Sequence, residues 1–172
     1  MSERRVISVT QNVEFLTDHI PEPGEVFEIV PGIQWIRMPL PFQLNHINLW
    51  LIEEEDGWAL IDCGINDERT KDLWRGILGQ VLNGKPLTKI ICTHAHPDHI
   101  WGILDDFDDL LMPDAAYHIS QAEWDFWDSD DALTVMIPGR ESFAVGAKSR
   151  FDKLRDQISF FQGDDEILSG IE

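Results

Sequence analysis

The amino-acid sequence predicts an α/β layered fold, and three observations support that prediction. Segments with the composition of strands come first, at residues 34–38, 47–53 and 58–62, and helical and strand-like segments then alternate. The run at 87–92 is largely apolar and short enough for a buried strand. The chain has 172 residues, of which 43% are hydrophobic, and this suits one domain with a substantial core.

The first part of the chain is predicted to contain an extension, three strands and a helix. Residues 1–30 are acidic, contain proline and lack strong periodicity, so they are expected to form an N-terminal extension that covers a domain at 31–172. After the third strand, Asn66 is expected to cap a helix, and Asp67 and Glu68 lie in its first turn, where acidic groups are favoured. The apolar face of this helix is predicted to contain Leu73, Trp74, Ile77, Leu78 and Val81.

The second part of the chain is predicted to alternate helices and strands. A helix from about residue 97 to 106 follows the strand at 87–92. Its buried side chains are expected to be Ile100, Ile103, Leu104 and Phe107. A strand at 115–119 leads into Ser120-Gln121-Ala122-Glu123, which has the spacing of a capping box at a helix start. A longer helix is then predicted to end at Gly163. Its apolar face contains Phe151, Leu154, Ile158 and Phe161.

The composition excludes several classes of partner. The formal net charge of −19, from 32 acidic and 13 basic residues, opposes binding to nucleic acids and anionic membranes. The N-terminus leads into no long apolar stretch, so neither a signal peptide nor a membrane span is expected, and a cytoplasmic location follows as the default. Cys63 and Cys92 each end a predicted strand. Without a secretory signal we expect reduced, buried thiols, with a disulfide as the alternative.

A cluster of metal-ligating residues occupies positions 93–99 and holds three of the six histidines. Because positions two apart on a strand share a face, His94 and His96 can converge on one ion. Pro97 suits the first position of a helix, which places Asp98 and His99 in the opening turn, beside a second metal position. The alternative is a solvated histidine-rich turn, but three histidines and an aspartate at this spacing favour a metal site.

The motif His94-x-His96-x-Asp98-His99 after a buried strand resembles the signature of the metallo-β-lactamase superfamily. Residues 47–52 and 58–64 are similar to the second and third strands of that family. Residues 117–124 resemble its lactonase and methyl-parathion-hydrolase-like branch. The resemblance implies that residues 31–172 form a metallo-β-lactamase-like domain, the N-terminal portion of an αββα sandwich.

The resemblance further implies a zinc-dependent hydrolase. Its reaction would be the attack of a metal-bound hydroxide on an ester, lactone, thioester or phosphotriester in a small-molecule substrate. His94 and His96 would hold the first metal, and Asp98 and His99 the second. A complete site would hold up to two Zn²⁺, although Fe²⁺, Mn²⁺ or Co²⁺ suit the same donors. Asp98 would also be the catalytic residue, since it would orient the hydroxide or pass a proton to the leaving group.

For two further groups of residues, the sequence allows both a functional and a structural interpretation. Asp62 resembles an aspartate near the family's site, where a carboxylate that accepts a hydrogen bond from a ligating imidazole would fix the tautomer of that ring. Capping of the turn at Gly64 is an equal alternative. Four aromatic side chains could form an apolar wall for substrate, but packing in the core is favoured for them. They are Trp101, Trp124, Phe126 and Trp127.

Part of the family's metal site has no counterpart in the sequence. Members of the superfamily complete the dinuclear site with another histidine, a bridging aspartate and a final histidine, all later in the chain. The only histidine after His99 is His118, which lies in the predicted strand at 115–119 and matches no ligand position of the family. We therefore expect a C-terminally incomplete domain whose uncovered apolar face pairs with a second copy or with a separate C-terminal half. A non-catalytic metal-binding module and an inert fragment are the alternatives to a hydrolase.

Overall fold

A computed structural model gives the fold and describes residues 16–80, 82 and 84–170. Within these residues, seven strands form one sheet, and helices connect its later strands. The strands are β1 (Val26–Val30), β2 (Ile33–Pro39), β3 (His46–Glu53), β4 (Trp58–Ile61), β5 (Leu87–Cys92), β6 (Ala116–Ser120) and β7 (Ile158–Phe161). The helices are α1 (Glu68–Gln80), α2 (Pro97–Ile100), a 3-10 helix (Trp101–Ile103), α3 (Gln121–Asp128), α4 (Asp131–Val135) and α5 (Glu141–Leu154). Among these, no helix combines the length and the apolar character needed to cross a membrane.

The strands lie in the sheet in chain order, from β1 at one edge to β7 at the other. Strands β1 to β4 pair antiparallel as a meander, whereas β4, β5, β6 and β7 pair parallel. In parallel neighbours the carboxyl ends meet at one edge of the sheet, which is where α/β proteins place their sites. The residues that follow β4, β5 and β6 are therefore brought together, although they are far apart in the sequence.

Alternate residues of the strands face two different environments. On β3, Leu49 and Leu51 are fully buried in one cluster with the helices, whereas Trp50 and Ile52 point to the opposite face and are half-buried. That opposite face borders an open apolar cavity of about 530 Å³, partly covered by Ile167 and Leu168. The α/β layered class is confirmed, and one sheet with its helices packed on one face is half of an αββα sandwich.

Most predicted elements are confirmed, with shifts at their ends. Strand β5 has the predicted bounds, and helix α1 begins one residue after Asp67 rather than after Asn66. The predicted cap at Asn66 is wrong, because it is Asp67 that accepts a hydrogen bond from the backbone N–H of Thr70, at 2.7 Å. The cysteines Cys63 and Cys92 are free and buried, as predicted.

Two helix predictions are wrong in part. The last long helix ends at Leu154, where the N–H of Gln157 closes a turn onto the Leu154 carbonyl at 2.8 Å, and β7 follows. The pairing of β7 with β6 overrides the helical spacing of Ile158 and Phe161, since a short apolar segment does not by itself specify helix or strand. The helix after β5 is short, and Phe107, predicted to be buried, is 84% exposed.

The predicted N-terminal extension contributes a strand to the sheet. Residues 1–15 of that extension lie outside the described residues, but β1 falls within its range and pairs with β2. The sequence does not predict β1, because the segment Val26–Val30 is half-buried and only weakly alternating.

Candidate metal centre

The loop after β5 holds the four predicted metal ligands at the carboxyl edge of the sheet. His96 has extended backbone angles, with φ −68° and ψ 155°, and Pro97 opens α2 at the position where no N–H donor is needed. The N–H groups of His99 and Ile100 both bond to the His96 carbonyl, at 3.0 and 3.1 Å. Asp98 and His99 therefore lie in the first turn of the helix.

His94 and His96 form the first donor pair. The Nε2 atom of His94 lies 3.1 Å from Nδ1 of His96, and the ring planes cross at 74°. Two nitrogens that bind one tetrahedral Zn²⁺ at ordinary bond lengths are about 3.3 Å apart. Ala95 between them is fully buried, so its methyl group enters the core while both imidazoles face outward. The separation of the two nitrogens fits a single ion.

Asp98 and His99 form the second donor pair, with Oδ2 of Asp98 lying 3.5 Å from Nε2 of His99. The ring centroids of His94 and His99 are 3.7 Å apart, so the two pairs adjoin each other. In the described part of the chain, no group of three or more His, Cys, Asp or Glu side chains is arranged to hold a metal ion. Each pair offers two donor atoms, and imidazole with carboxylate is a donor set that suits Zn²⁺.

Asp62 lies directly behind the second donor pair. Its Oδ2 atom is 2.8 Å from Nδ1 of His99, and its Oδ1 atom accepts from the backbone N–H of Thr93 at 2.8 Å. The hydroxyl of Thr93 also donates to this carboxylate, at 2.8 Å. These contacts go to Thr93 and His99 rather than to the turn at Gly64. An imidazole that donates from Nδ1 keeps the Nε2 lone pair available, in this case on the side of Asp98.

The backbone of Asp62 is unusual for a residue that carries a side chain. Its φ is +60°, in the left-handed region that costs about 1–3 kcal/mol outside glycine, and its exposed fraction is 4%. Asp tolerates this region better than most residues do. The hydrogen bonds of the carboxylate to Thr93 and His99 hold it there.

The electrostatic environment favours the metal-binding form of His94. Burial, followed by the neighbouring rings of His99 and His96, lowers the pKa of His94. The His94 ring is therefore neutral at neutral pH, and the neutral imidazole is the form that binds metal ions.

Glu123 and Trp127 of α3 contact the loop from the side of the helices. The Oε2 atom of Glu123 accepts from the backbone N–H of Ala95 at 3.0 Å and from the indole N–H of Trp127 at 2.9 Å. The prediction that Glu123 completes a capping box is wrong, since Ser120 makes no side-chain cap hydrogen bond and Glu123 bonds elsewhere. No local pattern could have revealed a contact between residues 28 positions apart.

Two of the four aromatic residues, Trp124 and Trp127, are buried in the core. The Trp127 ring lies edge-on to His96, with centroids 5.8 Å apart, but Trp127 is only 4% exposed and packs in the core. Trp124 stacks on Phe151 within the core at 4.3 Å. Packing, the favoured alternative in the sequence, thus describes these two residues better than a substrate wall does.

An open pocket lies in front of the two donor pairs. Its volume is about 430 Å³, within the range of small-molecule sites. His96 and Asp98 form part of its wall, so a bound molecule would touch the predicted ligands. The other lining residues are Leu40, Phe42 and Leu44 from the β2–β3 loop, and Pro97, Arg140 and Phe143.

Comparison with known proteins finds the same family by sequence. The family model described as the metallo-beta-lactamase superfamily matches residues 43–170. Among curated proteins, the chain is 36% identical over 89 residues to the uncharacterized protein YobT of Bacillus subtilis (strain 168), a match that covers 51% of this chain and 35% of that protein.

Comparison with solved structures finds the same fold. A beta-lactamase domain protein from Burkholderia ambifaria is 29% identical, with a TM-score of 0.64, and the match covers 89% of this chain and 47% of that one. AidC, described as a dizinc quorum-quenching lactonase in complex with a product, is 27% identical, with a TM-score of 0.59 over 72% of this chain and 46% of that one. The chain spans about half the length of these solved structures and about a third of the curated relative.

Proposed function

Because the chain belongs to the metallo-β-lactamase superfamily, we propose that it is a metal-dependent hydrolase of small molecules whose metal ligands are His94, His96, Asp98 and His99. The observation that carries this proposal is the geometry of the two donor pairs, with nitrogens 3.1 Å apart in the first and an oxygen and a nitrogen 3.5 Å apart in the second. The lactonase AidC among the similar structures supports a hydrolase.

His94, Asp98 and Asp62 each have a specific role in the proposed reaction. Divalent ions bound there would lower the pKa of a water molecule and polarise a carbonyl or phosphoryl oxygen of the substrate. His94, neutral because of its lowered pKa, would bind metal without first losing a proton. Asp98 lines the pocket and would orient the attacking water or pass a proton to the leaving group. Asp62 would keep Nε2 of His99 directed at the metal.

The pocket and the charge of the chain restrict the classes of substrate that the site could accept. The pocket walls from the β2–β3 loop are apolar, which suits an uncharged ester, lactone, thioester or phosphotriester. A net charge of −19 would repel polyanions such as nucleic acids. We therefore propose a small substrate whose apolar part lies against this loop.

Metal titration with matched variants tests the proposal. The chelator-treated protein is titrated with Zn²⁺, bound ions are counted by elemental analysis, and hydrolysis of ester, lactone and phosphotriester probes is measured. We expect zinc to restore turnover, and we expect the double variant His94→Ala/His96→Ala to lose both the first ion and the activity. His19→Ala is the control, because His19 is exposed and bonds to Glu25 far from the centre along the chain. Zinc binding that is equal in all three proteins would overturn the ligand assignment.

A second candidate function is metal binding without catalysis. The observation that favours it is that, over the described residues, no three ligating side chains surround one ion position. One tightly held ion per chain with no turnover of any probe would support this candidate, and turnover with two ions would exclude it. An unchanged melting temperature on addition of Zn²⁺ would exclude both, since a ligand of the native state raises stability.

A further inference from the structure

We propose that Glu123 is a positioning residue for the first donor pair, and that it acts by fixing the backbone of Ala95. This inference rests on the proposed metal site. Glu123 lies in the first turn of α3, and its Oε2 atom accepts the Ala95 N–H at 3.0 Å. The anchored residue is the one between His94 and His96, so one hydrogen bond restrains both imidazoles.

The position of Ala95 makes it an effective anchor. Its methyl group is fully buried in the core and its N–H is held by Glu123, so the residue is fixed on two sides. The flanking side chains then point away from the core, with Nε2 of His94 and Nδ1 of His96 at 3.1 Å. A loop that could rotate at Ala95 would let the two nitrogens separate, and the entropy lost in bringing them together would lower the affinity for metal.

Trp127 adds a second restraint, on the Glu123 carboxylate and on the His96 ring. It lies four residues after Glu123, one helical turn away, and its indole N–H donates to the same Oε2 atom at 2.9 Å. Its ring also lies edge-on to His96 at a centroid distance of 5.8 Å and an angle of 80°. Trp127 therefore orients the carboxylate and limits the movement of one ligand ring. We call the two residues Glu123 and Trp127 the α3 brace.

The charge of Glu123 contributes as well as its geometry. Hydrogen bonds from N–H groups to a carboxylate are stronger than those to a neutral acceptor. The Glu123 carboxylate is also near enough to His94 to act on it electrostatically. A negative charge near the His94 imidazole favours a cation bound there. Glu123→Gln should therefore keep an acceptor for the Ala95 N–H but lose the contribution of the negative charge. Glu123→Ala should lose both the acceptor and the charge.

The test measures zinc affinity by competition with a chromophoric chelator, and hydrogen exchange of the Ala95 amide and the Trp127 indole in the metal-free protein. We expect Glu123→Ala to speed both exchange rates and to lower zinc affinity by about 10- to 100-fold. Glu123→Gln should restore most of that loss, and Trp127→Phe should give an intermediate loss. Partial rescue by the amide separates positioning from a general loss of structure.

A carboxylate elsewhere in the chain supplies the matched control. Asp105 accepts two backbone N–H groups with one oxygen, from Phe107 at 2.8 Å and from Asp109 at 3.0 Å, and both bonds lie within its own loop. Asp105→Ala should leave zinc affinity at the wild-type value even where it lowers stability.

The outcomes separate the α3 brace from the proposed function. If the wild-type protein binds zinc and Glu123→Ala binds it equally well, the brace is overturned and the metal site stands. If the wild-type protein binds no zinc, both are overturned. Should Glu123→Ala fail to fold, Glu123→Gln and Trp127→Phe decide, because wild-type affinity in both would overturn the brace.

Discussion

The Nδ1 atom of His99 lies 2.8 Å from Oδ2 of Asp62, although the two residues are 37 positions apart in the chain. Asp62 follows β4, and His99 follows β5 in the first turn of α2, so the parallel pairing of β4 with β5 brings them together. The same carboxylate holds the backbone of Thr93, which opens the ligand loop. One buried side chain thus fixes both the start of the loop and the orientation of a ligand at its end.

Two replacements of Asp62 should show how much stability depends on its side-chain hydrogen bonds and on its left-handed backbone conformation. Asp62→Ala leaves the N–H of Thr93 without its acceptor and places alanine at φ +60°, so we expect the free energy of unfolding to fall by about 3 kcal/mol. Asp62→Asn keeps one acceptor oxygen and tolerates the left-handed region, so its loss should be about 1 kcal/mol. Urea denaturation measures both values. Equal losses in the two variants would contradict this role of the side chain.

Gly102 should not accept a side chain. A Cβ there would overlap the carbonyl oxygen of Cys63 and lie 3.1 Å from that of Gly64, whereas the Gly102 N–H donates to Gly64 at 2.8 Å. Because the overlapping atom belongs to the backbone, Gly102→Ala should cost about 3 kcal/mol of stability and disturb the turn that follows Asp62. Gly76→Ala is the control, since a Cβ there meets nothing within 4 Å in α1 and should stabilise by about 0.5–1 kcal/mol. Thermal unfolding measures the stability of the two variants. A Gly102→Ala protein as stable as the wild type would contradict the prediction.

How far the sequence predicts the fold depends on whether the signal is local. Strand β5 has the predicted bounds, since its carboxyl half is buried and a histidine-rich turn follows it directly in the sequence. Strand β7 could not be predicted, because its four residues form a strand only through pairing with β6, as in the register of His118 with Ser159. Phe107 was predicted to be buried by helical spacing, but the chain leaves the helix before that residue, in a loop held by Asp105.

The residues of the candidate site also differ in whether a local sequence pattern predicts their contacts. The four predicted ligands are within six positions of one another, so a strand, a turn and a helix start suffice to bring them together. Asp62 was identified from a resemblance, and its contact with His99 requires the pairing of β4 with β5. Glu123 was missed because its spacing from Ser120 is that of a capping box, while its actual partner is 28 residues earlier.

Acidification should destabilise the protein through His118. Burial, followed by the nearby positive charge of Lys89, lowers the pKa of His118, whereas Glu54 opposes the shift. A histidine whose pKa is lower in the folded state binds more protons when unfolded, so the stability that it contributes is present above the unfolded pKa of about 6.5 and is lost as the pH falls through the folded value. We expect the free energy of unfolding to decrease from pH 7.5 to pH 5.

His118→Gln provides the variant for this prediction. It removes the titrating ring and should flatten the dependence on pH without abolishing it, because burial and Arg37 also lower the pKa of His46. His46→Gln is the matched comparison, and the two variants together should flatten the profile further. A profile that is the same in His118→Gln and wild type, or stability that increases on acidification, would contradict the assignment.

The apolar face of the sheet opposite the helices should drive self-association. Trp50 lies on this face with Trp35 stacked beside it at 6.0 Å, and the face continues along β3 and β4 through Ile52 and Ile61 to the open cavity of about 530 Å³. Apolar surface that residues 16–80, 82 and 84–170 leave open to solvent, as at this cavity, favours association. We expect sizing chromatography to show a dimer or larger species that shifts toward monomer in Trp50→Glu. Val145→Glu should leave the elution unchanged, since Val145 is 60% exposed on α5. A wild-type protein that elutes as a monomer at every concentration, and unfolds cooperatively, would show that this face does not drive association.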